Sequence, residues 1–214
     1  MLGVTIGDKH SYHDMKLILT AYPEISPPKE KTKLVEVPGL DGALDLSRVH
    51  TGYMQYHRRS MWLEFAILAP RARWPQIHSD IMDALHGEEM TIILDDDPEY
   101  GYTGRLSVDA FDPQKVTSGV TITADIEPYK KRLKNTAKSY TVSGSLTANI
   151  VTERMPTVPT ITSSAAMTMT HGGKFYSLKA GANTFPDVIL RAGKNTLTFS
   201  GKGTISLEYR EGRF

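Results

Sequence analysis

The stretch TIILDDDPEYGYTGRL, residues 91–106, sets three carboxylates, Asp95, Asp96 and Asp97, between two runs of strand-like composition. Adjacent carboxylates supply oxygen ligands for a hard cation, or a pair for acid–base chemistry. Asp-Pro equally starts a turn between two strands. In an extended chain successive side chains face opposite ways, so Asp95 and Asp97 can converge while Asp96 cannot join them. A calcium loop needs further oxygen ligands at alternating positions and a glycine for its bend, and the pattern D-x-[DN]-x-[DN]-G is not met. The stretch therefore reads as a hairpin, TIIL and YTGRL being its strands and the carboxylates capping backbone donors of its turn.

The flanking sequence agrees. MLGVTI, HDMKLILTAY and KTKLVEVPG read as strands bounded by Gly, Pro or Asp. MWLEFAIL reads as a strand buried on both faces, because its large residues are contiguous. Residues 23–33 are polar and carry three prolines, which suits an extended arm or edge better than a central strand. One helix is predicted over 74–86 in RWPQIHSDIMDALHG. Pro75 suits the first helical position, and Trp74, Ile77, Ile81, Met82 and Leu85 make one apolar stripe. Gly87 closes it, with His86 beside the negative end of the dipole. A lone amphipathic helix among strands should lie across a sheet.

After residue 130 the composition shifts. YKKRLKNTAKS reads as a strand end plus linker, and from Ser139 short Thr/Ser-rich strands repeat, with VSGSL at 142–146 as a turn. The expectation is a mainly β protein of two domains. Residues 1–134 form a β-sandwich with one helix, and residues 135–214 form a second, small β-sandwich. Charge divides the same way. Of the chain's 25 basic and 24 acidic side chains, nine and four lie from Asn135 onward, leaving 16 and 20 in the first 134 residues. An acidic first half and a net charge of +1 argue against a protein built to coat nucleic acid.

The chain has no cysteine, which excludes disulfides, thiolate zinc sites and Cys nucleophiles. No apolar run is long enough for a signal peptide or a membrane span, so a soluble protein that is not exported by the usual route is expected. Seven histidines (His10, His13, His50, His57, His78, His86 and His171) fall in no H-E-x-x-H pattern and read as surface or turn residues. Ser11 lacks a nucleophile-elbow context. Lys130, Lys131, Arg132 and Lys134 could touch phosphate, but only Tyr129 offers a stacking ring, so the cluster reads as a solvated charge run. Gly172-Gly173 is a turn, with no lysine or helix after it to make a phosphate cradle. Exposed Tyr176, Phe185 and Tyr209 could stack on a sugar ring; core packing is the competing account. No catalytic, cofactor-binding or metal-ligating residue is assigned.

The order of several segments carries more than any one of them. GDKHSYHDMKLIL, VEVPGLDGALDLS, the helix ending ALHG, ILDDDPEYGYTGRL, ITADIEPYKK and ANTFPDVILRAGKNTLTFSGKGTISLEYREG together resemble the distal tail proteins of long, flexible-tailed bacteriophages. That resemblance implies a ring-forming N-terminal β-sandwich with a helix and a galectin-like or jelly-roll C-terminal sandwich. It also implies a non-enzymatic hub at the virion's tail tip, assembled in the host cytoplasm as a homo-hexamer. Implied partners are the major tail (tube) protein, a tail-associated or fibre protein and, where present, receptor-binding proteins. DNA passes through without specific binding, and no cofactor or membrane is involved. The other reading is a carbohydrate-binding module acting through the second sandwich.

Overall fold

A computed structural model describes residues 3–109 and 119–214. The first two residues of the MLGVTI run, the Ala110–Phe111 end of the strand after the Asp turn, and Ser118 lie outside them. The chain divides into two compact units, one running to Lys130 and including Phe214, the other Lys131–Arg213.

The first unit contains β1 (Val4–Ile6), β2 (Lys9–His10), β3 (Leu17–Leu19), β4 (Glu24–Ile25), β5 (Leu34–Glu36), β6 (Ala43–Asp45), β7 (Arg59–Ile67), α1 (Trp74–Leu85), β8 (Glu89–Leu94), β9 (Tyr100–Val108) and β10 (Gly119–Ile126). Its main sheet runs β2-β1-β8-β9-β10-β7-β3, with β4 also on β7. β7 alternates strictly. Arg59, Met61, Leu63, Phe65 and Ile67 are buried while Trp62 and Glu64 face outward, so burial on both faces is corrected to burial on one. The contiguous large residues misled because Trp62 spends its bulk on the outer face.

The buried rows of β7, β9 and β10 meet Ile81 and Leu85 of α1 in one core, with Trp74, Ile77 and Met82 packed at its margin. α1 ends where the sequence indicated: Gly87 takes φ +83°, which a Cβ resists. His86 caps it through its backbone, while its ring Nδ1 accepts from Val108 N at 3.1 Å and so ties the helix end to β9. Gly104 on β9 lies so close to β10 that a Cβ would stand 2.6 Å from the Asp125 carbonyl oxygen.

The second unit contains β11 (Lys130–Arg132, whose first residue closes the first unit), β12 (Thr136–Thr152), β13 (Thr160–Ser163), β14 (Met167–His171), β15 (Lys174–Leu178), β16 (Gly181–Thr184), β17 (Gly193–Tyr209) and β18 (Gly212–Arg213). β12 and β17 pair without a break from Thr136↔Tyr209 to Thr152↔Gly193. The linker reading of 130–139 and the turn reading of VSGSL are corrected by this ladder, since both segments are largely strand.

Two glycines in the middle of β17 act as bends within the strand. Gly201 and Gly203 take φ +144° and +148°, and a Cβ on Gly203 would stand 2.5 Å from Ser164 Oγ. On one side of that bend β17 pairs with β13, on the other with β14. One strand thus serves two layers, and Phe199, Ile205 and Leu207 fill the core between them. Gly172 and Gly173 form the tight β14–β15 turn as expected, both at positive φ.

One local device is used twice. In KAGAN (179–183) and RAGKN (191–195) the Asn Oδ1 accepts from the backbone N of the first residue. The Asn Nδ2 donates back to carbonyls of the first and third residues. The glycine between them takes φ +98° or +90°. Each turn leads directly into a strand, and Asn195 also donates to Thr152 Oγ1 at 3.1 Å.

Candidate assembly surfaces

The Asp turn satisfies its own backbone with backbone: Asp97 N donates to Leu94 O, Tyr100 N to Asp97 O, and Asp95 N to Gly3 O. Its carboxylates are therefore released for long-range partners, which corrects the expectation that they cap the turn. They also do not converge. Asp95 faces His10 Nε2 at 3.3 Å, Asp96 accepts from Tyr22 OH at 3.0 Å, and Asp97 accepts from Lys130 Nζ at 2.7 Å. A turn, unlike a strand, fans its side chains outward. Among the described residues no cluster of three or more His, Asp or Glu is placed to hold a metal ion.

His10 Nδ1 accepts from the backbone N of Tyr12 at 3.2 Å, so Nε2 carries the proton that faces Asp95. Gly3 makes room, since a Cβ there would stand 2.7 Å from Asp95 Oδ2. Ser11, once a candidate nucleophile, is buried and accepts from Val4 N. His78 and His171 meet the carbonyls of Asp109 and Thr196, and the side chains of His50 and His57 are exposed. His13 sits beside His10, with ring centres 4.7 Å apart. His10, His78, His86 and His171 thus tie turns and strand ends together.

The basic run is corrected from a solvated charge cluster to an internally paired one. Lys130, besides Asp97, lies 5.5 Å from the ring centre of Tyr100. Arg132 reaches Glu153 at 3.4 Å and Glu211 at 3.8 Å. Lys134 remains exposed. Near Lys130, Arg59 is only 7 % exposed and stacks over Tyr102, yet its Nε and Nη2 have no hydrogen-bond partner among the described residues. Burial pulls its pKa below the usual guanidinium value.

In the second unit Tyr209 is buried, 2 % exposed, which corrects its reading as a surface ring. Tyr176 and Phe185 are half-buried and pack together with ring centres 5.0 Å apart; Tyr176 OH donates to Asp187 at 2.8 Å. The exposed ring is Phe175, at 78 %. It ends a lateral row running Thr147, Thr198, Thr170, Phe175 across four strands. Period-two alternation from buried Met169 and Leu178 was the signal that could have found it.

The first unit presents two surfaces the sequence only half announced. Every residue from 31 to 45 is exposed, on both faces of the β5–β6 hairpin. The expected arm at 23–33 is displaced along the chain: Pro23 is buried and Glu24–Ile25 pair with β7. The second surface is a groove of about 480 Å³ beside α1, lined by the β2–β3 turn, residues 68–70 and the helix.

This two-unit, mainly β chain with one helix has the fold of a phage tail-hub protein. One solved structure with this fold is the Dit protein (gp 19.1) of SPP1, described as a paradigm of the hub adsorption apparatus in Gram-positive-infecting phages. The TM-score is 0.69 with 12% sequence identity, and the match covers 100% of both chains. No protein-family model matches the sequence, and no curated protein matches it at a significant level.

Proposed function

We propose that this chain is a structural hub of a phage tail tip, a non-enzymatic component that closes as a hexameric ring between the tail tube and the tail-associated or fibre protein. The observation carrying this reading is the likeness to a hub protein along the entire length of both chains, second unit included. Ring closure calls for two different patches on each subunit, and the exposed hairpin and the α1 groove supply two. In this reading residues 1–134 are the ring-forming domain and 135–214 the appended one. The acidic excess of the first lines a DNA channel, because a basic wall would hold phosphates rather than let them slide. The virion tail tip is its place, after assembly in the host cytoplasm.

Sedimentation of the full chain over a wide concentration range tests the proposal. A species near six protomers is expected; a strict monomer at every concentration, including in the presence of tail tubes, would reject it.

A second reading, glycan attachment by the 135–214 sandwich, is favoured by the exposed Phe175 at the end of its threonine row. Glycan-array binding lost in Phe175→Ala would establish it, and an array without hits would remove it.

A further inference from the structure

An isolated two-stranded hairpin is marginal in water, and among the described residues β5–β6 pairs with no further strand and is exposed throughout. It nonetheless carries Leu34, Val35, Val37, Leu40 and Leu44, all exposed, with Leu40 at 52 % on its tip. Single exposed apolar residues need no explanation, whereas five on one projecting element mark an interaction surface. Its charge is one-signed as well. Between residues 34 and 47 the charged side chains are Glu36, Asp41 and Asp45, with no basic residue.

The α1 groove is the counterpart. Its apolar floor comes from Met15, Leu68, Ile77 and Ala84, and its rim from Lys9, Lys16 and Arg73 against Asp14 and Asp80. It is therefore apolar inside and one positive charge in excess at the edge, where the hairpin tip is apolar and carries the single negative charge of Asp41. In one copy the hairpin is solvent-exposed on both faces, so it does not fill its own groove. A chain bearing both surfaces can satisfy them by meeting itself head to tail, the heterologous contact from which rings close.

We propose that the tip of the β5–β6 hairpin of one copy docks in the α1 groove of the next, with Leu40 seated on the apolar floor and Asp41 beside Arg73. This rests on the ring reading and names the contact that makes the ring. The occupant is a second copy of this chain. A tube or fibre protein on the hairpin is an alternative that the experiment excludes or reveals.

The absence of cysteine makes a clean cross-linking test possible in the full chain. Leu40→Cys and Ala84→Cys proteins, made separately and mixed with a short bismaleimide, should give a 40–84 linked dimer. Either protein alone, and Leu40→Cys mixed with Phe175→Cys, should give little. Leu40→Asp should weaken self-association roughly tenfold or more, as loss of an interface anchor does. Its unfolding midpoint, measured at a concentration where both proteins are monomeric, should not move, because Leu40 lies outside the core. Asp41→Lys and Arg73→Glu should each weaken assembly, and the double reversal should restore it. A chain that assembles normally with Leu40→Asp, and yields no preferred 40–84 product, overturns this inference and leaves the ring standing. A wild-type chain that stays monomeric at its highest soluble concentration, with tail tubes present as well as without them, overturns both.

Discussion

Lys130 Nζ lies 2.7 Å from Asp97 Oδ2, joining the Asp turn to a residue 33 positions later whose ammonium also rests on aromatic faces. The Lys130 side chain is only 17% exposed, so removing its counter-charge strands a mostly buried cation. Asp97→Asn should lower unfolding free energy by about 1–2 kcal/mol, more than an exposed pair is worth. Asp96→Asn, which loses only a surface contact to Tyr22, should cost less than about 0.5 kcal/mol. Urea midpoints of the two variants measure the difference; equal losses would refute the distinction.

Arg59 makes the opposite case. Its guanidinium carries a desolvation cost, and its Nε and Nη2 recover no hydrogen bond among the described residues. Arg59→Met keeps the volume and removes the charge, and is expected to raise stability by about 1 kcal/mol. A loss of that size in thermal or urea unfolding would mean that the stacking on Tyr102 outweighs the burial cost.

Tyr209 gives the second unit an alkaline limit. Burial first, then the nearby Glu211 charge, pushes its phenol up to about 12 from an ordinary value of 10.0. Because the folded pKa is raised, the stability involved is intact below the unfolded value and is lost as pH climbs from 10 toward 12. Tyr209→Phe should flatten that loss. It also removes a buried hydroxyl without a partner among the described residues, so stability at neutral pH should hold or rise by about 1 kcal/mol. Urea midpoints of both proteins near pH 8 and near pH 11 decide the matter.

The two Asn-centred turns make a matched pair of tests. Asn195→Ala empties a buried site where one amide joins Arg191, Gly193 and Thr152, and should cost about 2–4 kcal/mol. Asn183→Ala removes the same local bonds in a more exposed turn and should cost about half as much. Similar losses would show that local turn geometry, rather than burial, sets the value.

Local features with unambiguous signals were legible in the sequence. The helix announced itself by Pro75, its apolar stripe and Gly87, and the hairpin at 91–106 by its alternation and Asp-Pro. Features set by distant partners were not. A glycine looks the same whether it ends a strand or bends one, and only the approach of Ser164 and Met167 makes Gly201 and Gly203 bends. The Asp carboxylates could be read as belonging to a turn, but their three partners lie up to 85 positions away. That Tyr209 faces in and Phe175 faces out was not legible, because strand register decides which ring faces in, and register is fixed by pairings across the unit. The exposure of the hairpin was not legible because Leu34, Leu40 and Leu44 have core-like composition, so nothing local distinguishes a core strand from a strand awaiting a neighbour.

The ladder between β12 and β17 has a mechanical consequence. Thr136 and Tyr209 sit opposite each other at one end of seventeen consecutive pairs, so tension drawn through both ends loads only the terminal rung. The pairs then open in sequence, as in a zipper, instead of sharing the force as they would if pulled from opposite ends. Under axial strain this unit should yield progressively and at low force, re-closing from the rung still intact when the strain is released.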